Sequence, residues 1–383
     1  MTMEECACCQ ENCVECKPDK TTLKAVILVG GQGTRLRPLT YNTPKPMVPV
    51  LNLPFLEHVI RNLKEHNVTE IVMTQHYLAA SMRAYFGDGS KLGVKLYYVM
   101  EESPMGTAGA VKNVEDFLNC TFFVLNGDIF HNRDFTAMLK FHRKHKAKAT
   151  IVLTPVEDPT IYGVVETDKR SKVTRFTEKP KAEDVTTNMI NAGTYVLEPD
   201  VLQRIPPDTN FSFERQVFPQ MLTDCLPVYA YPTDNYWMDT GTPEKYLQLH
   251  RDLLSGKHEG YTFDTDVMIG KRCKIHPSVK YKGKVIVGDG CKIESGVKLT
   301  GPLVIGAKCS IGEDAKLADS VLWGDTAVGQ RTVIKSSILA DNCKIGDDCQ
   351  LNDAVLGDHV SISDNLKLKK GTRIMPGEKV NKS

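Results

Sequence analysis

Residues 24–49 read KAVILVGGQGTRLRPLTYNTPKPMVP, and what this stretch becomes decides the fold. Residues 25–29 are apolar and β-branched at Val26, Ile27 and Val29, the pattern of a strand buried on both faces of a parallel sheet. Three glycines follow within four positions, Gly30, Gly31 and Gly33. With no Cβ in the way, such a turn lets backbone N–H groups close in on a phosphate. Arg35 and Arg37 come next, and Lys45 stands between Pro44 and Pro46. Fixed cations beside a bare backbone suit a polyphosphate under attack. A dinucleotide fingerprint needs a third glycine where Leu36 stands, and a Walker loop needs Gly-Lys-Ser/Thr after the second glycine. Neither is complete.

Downstream, the pattern alternates. Apolar positions 56, 59, 60 and 63 predict an amphipathic helix over residues 56–65, and residues 71–73 a second strand. A helix over residues 78–86 stops at Gly87-Asp88-Gly89, and residues 94–99 form the next strand. Strand alternating with helix implies a doubly wound α/β core. Pro104-Met105-Gly106-Thr107-Ala108-Gly109-Ala110 opens a further helix, and residues 122–128, FFVLNGD, are a buried strand ending in Asp128. A carboxylate at the C-terminal end of a central parallel strand sits where open α/β sheets bind ligands, although Asp is also a common turn residue. Strands at residues 149–154, 162–166 and 173–180 follow; Lys179 suits a phosphate and Glu178 sugar hydroxyls, or the two are an exposed strand-end ion pair. Asp239, in YWMDTGTP, is a second carboxylate more than a hundred residues from the first, and a helix over residues 243–253 closes the domain.

The periodicity then changes. Val287, Ile293, Leu299, Ile305, Ile311 and Leu317 recur every six residues, and after a slip Val333, Leu339, Ile345 and Leu351 resume that spacing. One inward aliphatic per six residues builds a left-handed parallel β-helix. The domains read as a cysteine-rich leader (1–21), a catalytic unit (22–254), a linker (255–262) and a hexapeptide-repeat β-helix (263–383).

The composition bounds the partners. Forty-eight basic residues oppose 47 acidic ones, so no overall field argues for nucleic acid or an anionic membrane. No apolar run approaches the roughly 20 residues of a membrane helix, and the N-terminus has no signal-peptide core; a cytoplasmic protein is the plain expectation. Of twelve cysteines, Cys6, Cys8, Cys9, Cys13 and Cys16 crowd the leader, where their spacing fits either a metal site or a polar tail. The others are scattered, as reduced thiols are.

GGxGTRLxPLT followed by PKPM resembles the signature of the sugar nucleotidyltransferases (NDP-sugar pyrophosphorylases), and the resemblance covers almost all of the chain after about Thr22. It implies a Rossmann-like nucleotidyltransferase domain with a mixed central sheet. NTP binding falls to Val29, Gly30, Gly31, Gly33, Thr34, Gly106, Thr107 and Gly109. Gly109 stands where pyrimidine-directed members often carry Gln, so that a missing side chain leaves room for a purine. Gly163, Glu178, Lys179 and Asn191 match the sugar-phosphate pocket. Asp128 and Asp239 match the pair that holds Mg²⁺, and Arg35 and Lys45 complete the catalytic set. GTAGA, INAGTYVLEP, SFERQVFP and WMDTGTP are similar to mannose-1-phosphate guanylyltransferases, implying GTP and mannose 1-phosphate as substrates and a homo-oligomer assembled through the β-helix. The alternatives are a glucose-1-phosphate uridylyl- or thymidylyltransferase, a non-catalytic subunit that senses a nucleotide sugar, and an acyltransferase activity of the β-helix, for which His276 and His359 are the histidines within the repeats.

Overall fold

The computed structural model describes residues 23–75, 79–256 and 260–381; the cysteine-rich leader lies outside them. The first strand, β1 (Leu23–Leu28), pairs in parallel with β2 (Val68–Gln75) on one side and β4 (Phe122–Asn126) on the other; β3 (Lys95–Met100) extends the β2 edge. Helix α1 (Phe55–Glu65) connects β1 to β2 and α2 (Ala79–Phe86) connects β2 to β3, whereas α3 (Gly106–Lys112) carries the chain across to β4. The strand order therefore reverses between β1 and β4. In doubly wound sheets that crevice, outside the C-terminal strand ends, is where ligands bind.

The sheet then turns mixed. After the short β5 (Ile129–His131) and helix α4 (Phe135–Lys144) come β6 (Ala149–Pro155), β7 (Gly163–Thr167), β8 (Val173–Glu178) and β9 (Met189–Leu197). β9 runs antiparallel to β4, β6 and β7, and β8 is antiparallel to β7. Helix α5 (Phe218–Thr223) leads into β10 (Val228–Pro232), which is parallel to β6. β11 (Trp237–Asp239) pairs with β5 so that Asp239 lies opposite Ile129, the residue after Asp128. A separate two-strand pairing thus joins carboxylates from distant parts of the chain.

Helix α6 (Pro243–Leu254) ends this domain and docks it on the next. From Val267 onward, pairs of short strands stack in parallel, coil on coil: Val285–Leu303, Leu299–Leu317 and Ile293–Ile311 are each eighteen residues apart. Inward aliphatics fill the interior, which is the parallel β-helix expected from the six-residue period. One detail differs. Leu317 pairs with Ile334, Leu322 with Leu339 and Val328 with Ile345, seventeen residues apart. Each of these coils is one residue shorter, so Ile334 is fully buried and points inward, while Val333, the position expected from the period, is only half-buried.

One outer face of the β-helix is apolar and covered. Val304, Val321, Trp323 and Ile338 share a core with Tyr246, Leu249 and Leu253 of α6. The Tyr246 hydroxyl accepts from Trp323 Nε1 at 3.1 Å and donates to the carbonyl of Pro49, just past the signature stretch. Arg251 grips Asp319 with two hydrogen bonds of 2.8 and 2.7 Å. Among the described residues, no helix is long and apolar enough to cross a membrane.

Candidate active site

A cleft of about 440 Å³ opens at the β1/β4 crevice, floored by residues 28–31 and 126–128 and walled by Arg35, Lys45, Glu101 and Gly106. Its loop is set by Gly33, whose φ of 61° favours glycine and whose Cβ, if present, would press on Lys45 and Thr40 at 3.1 and 3.3 Å. The Thr40 hydroxyl donates to the Gly33 carbonyl at 2.8 Å and pins the turn. A 3₁₀ turn over Thr34–Leu36 then buries Leu36 and leaves Arg35 facing the cleft.

Lys45 is the electrostatic centre. Only 6% exposed, its ammonium donates to Asp128 Oδ2 at 2.9 Å and lies 3.6 Å from Asp239 Oδ1. Arg35 stands 3.6 Å from Asp239 Oδ2. Burial pushes the Asp128 carboxyl up, but the charge and hydrogen bond of Lys45, with Arg35 behind, outweigh it and hold the group below its ordinary range. Asp239 is 8% exposed, and its Oδ1 is buried with no hydrogen-bond partner. The Lys45 ammonium at 3.6 Å offsets its charge without a hydrogen bond, which leaves this oxygen able to accept a further donor or cation. Among the described residues, no group of three or more His, Cys, Asp or Glu side chains is placed to hold a metal ion.

The expected nucleotide residues divide. Val29, Gly30, Gly31, Gly33, Thr34, Gly106 and Thr107 line the cleft, whereas Gly109 does not. A Cβ on Gly109 would meet the carbonyl oxygen of Thr209 at 2.4 Å. Glycine at this position permits the close packing of α3 against residues 209–211. A further cleft-lining side chain, Glu101, carried no motif signal. It is 7% exposed, lines the cleft, and accepts from the backbone N–H of Met105 at 3.3 Å.

The residues expected on the sugar side gather on a second ledge over β7–β9. A Cβ on Gly163 would lie 2.8 Å from Glu178 Oε2, so the strand backbone and that carboxylate are in direct contact. Asn191 donates to the Tyr195 hydroxyl at 2.8 Å and accepts from Gly193 N–H at 3.0 Å. Lys179 is exposed just beyond β8 at a φ of 49°. Burial, then the facing Glu214, raise the Glu178 carboxyl against the opposing pull of Lys179 and Arg215. Lys245 of α6, also without a motif signal, joins ledge to cleft: it donates to the Tyr162 hydroxyl at 3.1 Å and lies 4.0 Å from Asp239 Oδ2.

This fold and this pair of subsites define a nucleotide-binding α/β transferase with an appended β-helix. The chain belongs to the nucleotidyl transferase family: that family's model matches residues 24–256, and a GMPPB C-terminal domain model matches residues 281–383. The chain is 45% identical over 235 residues to a mannose-1-phosphate guanylyltransferase of Mycobacterium tuberculosis, covering 61% of this chain and 65% of that one. It is 38% identical over 272 residues to a mannose-1-phosphate guanyltransferase of Candida albicans, covering 66% and 73%. The crystal structure of HddC from Yersinia pseudotuberculosis complexed with GMP-PN superimposes with a TM-score of 0.52 at 30% identity, over 59% of this chain and 97% of that one.

Proposed function

We propose that the chain transfers a guanylyl group from GTP to mannose 1-phosphate, yielding GDP-mannose and pyrophosphate. The observation that carries the choice of base is Glu101. A carboxylate only accepts hydrogen bonds. Guanine presents N1–H and N2–H₂ side by side on one edge, whereas uracil and thymine flank their single N–H with two carbonyls that a carboxylate repels. The relatives named mannose-1-phosphate guanylyltransferase support the sugar.

The reaction is a single displacement. A phosphate oxygen of mannose 1-phosphate bonds to the α-phosphorus of GTP, the bond from that phosphorus to the β-bridging oxygen breaks, and its electron pair leaves with pyrophosphate. The nucleophile is already an anion, so positioning and charge neutralisation suffice without a general base. The glycine turn cradles the phosphates, Arg35 follows the departing pyrophosphate, and Lys45 keeps Asp128 ionised and holds Asp239 beside it at 3.6 Å. Lys179 and Lys245 steady the incoming sugar phosphate. The converging Asp128 and Asp239 carboxylates, one with an oxygen that makes no hydrogen bond, fit Mg²⁺, which accepts one or two carboxylates and completes its shell from substrate and water oxygens. Held there, the ion would screen the phosphates from one another.

Mixing the purified chain with GTP, mannose 1-phosphate and Mg²⁺ should release GDP-mannose and pyrophosphate in equal amounts, and a chelator should stop it. Absence of GDP-mannose under these conditions overturns the reading.

A further inference from the structure

The segment SFERQVFP, residues 212–219, joins the two subsites. Its approach is zipped to the base-facing turn by backbone bonds: Phe211 N–H donates to the Met105 carbonyl at 2.9 Å, and the Phe211 carbonyl accepts from Ala108 and Gly109 at 2.9 and 3.1 Å. Asn210 donates to the Pro104 carbonyl at 2.8 Å. The chain then winds into a single π-turn over Phe213–Val217, a wide turn common at functional positions. Glu214 sits on it and gathers three hydroxyls. Thr107 of the base-facing turn donates to Oε2 at 2.7 Å, Ser212 to the same oxygen at 2.6 Å, and Tyr195 to Oε1 at 2.7 Å. Tyr195 is fully buried and receives the Asn191 amide, whose oxygen in turn holds the Gly193 N–H. One unbroken chain of hydrogen bonds therefore runs from Thr107 to the sugar ledge.

We propose that Glu214 is a positioning residue that ties the base-facing turn to the sugar ledge, so that filling the nucleotide subsite tightens binding of the sugar phosphate. The inference rests on the assignment of those two subsites under Proposed function. A purely packing role is a poor fit, because both carboxylate oxygens are spent on hydroxyls from separate elements rather than on one neighbour. Reordering either end must move the shared carboxylate. By linkage, the tightening is reciprocal.

The test is calorimetric titration of mannose 1-phosphate into the full chain, with and without a GTP analogue that cannot be cleaved between the α- and β-phosphorus. The wild type should bind the sugar phosphate about tenfold more tightly when the analogue is present, a usual size for such coupling. Tyr195→Phe removes a link of the chain and Glu214→Gln leaves one acceptor atom where three hydroxyls now donate to two, so each should reduce that factor below about twofold. Ser212→Ala removes a hydroxyl that is off the path, and should lower the thermal midpoint while leaving the factor intact. Retention of wild-type tightening in Tyr195→Phe and Glu214→Gln overturns the proposal, as does a wild type without tightening. Repeating the titration with UTP- and glucose-derived counterparts separates the two failures: coupling with only that pair corrects the substrates, whereas coupling with no pair refutes the tie.

Discussion

Two pairs of aspartates, one in each domain, are treated in opposite ways. Asp128 and Asp239 share the Lys45 ammonium, with Arg35 close by, and Asp128 is held below its ordinary range. Asp341 and Asp358 lie at the domain interface, with Asp358 accepting from Asn42 at 3.1 Å and from the Asp341 N–H at 3.2 Å. Burial, then the charge of Asp358, push Asp341 up to about 6. The residue type is the same; what differs is a buried cation, the Lys45 ammonium. A carboxylate with its own lysine, as Asp128 has, is kept charged, while a pair held by an amide and a backbone N–H is a standing cost to the fold near neutral pH.

Breaking the first pair should have the largest effect. Asp239→Ala should lower kcat by roughly a thousandfold or more while the far-ultraviolet circular dichroism is retained, consistent with losing a charge-positioning group from the centre of the reaction. Near-normal turnover would remove Asp239 from the mechanism. Lys45→Met, which keeps the stem but deletes the charge, should cost about a hundredfold in kcat. It should also raise the Asp128 carboxyl, so the acid limb of the rate profile moves to higher pH; a limb that stays in place would disconnect Lys45 from Asp128.

The other domain should answer in stability instead. Leu322→Ala empties a fully buried site inside the β-helix and should cost about 2–5 kcal/mol on thermal or denaturant unfolding, with kcat unchanged well below the transition. The smallest effect is expected at the interface pair. Because the folded-state pKa of Asp341 is raised, its favourable contribution is complete only below the ordinary value of 3.8 and is lost as the pH rises through about 6. Asp341→Asn should therefore stabilise the protein by about 1–2 kcal/mol at pH 7–8 and not at all below pH 4, as a pH series of melting curves would reveal. Equal stabilisation at both ends would mean that charge is not the cause.

The two domains were also unequally legible in sequence. The signature stretch gave away Lys45, and a strand end gave Asp128, because local patterns place both. Pairing of β11 with β5, which sets Asp239 against Ile129, is a tertiary event that no local pattern announces. Glu101 and Glu102 are adjacent and chemically identical in sequence; only the fold buries one at the cleft and leaves the other exposed. Glu214 is equally mute, since its partners come from residues 107 and 195. The close approach of the Thr209 carbonyl to Gly109 is likewise invisible in the local pattern. In the β-helix the six-residue period located nine inward side chains from Val287 to Leu351. It failed at Val333 because a coil shortened by one residue shifts the inward position to Ile334 without leaving a turn signal.

The decisive measurement is kcat/KM for pyrophosphate release by the wild type with GTP and with UTP, each against mannose 1-phosphate and glucose 1-phosphate, repeated for Glu101→Gln. A carboxylate reading guanine predicts that GTP with mannose 1-phosphate exceeds the UTP reactions by at least about a hundredfold, and that Glu101→Gln narrows this ratio at least tenfold by weakening GTP. A wild type that prefers UTP, or a Glu101→Gln variant that keeps the full preference for GTP, would contradict it.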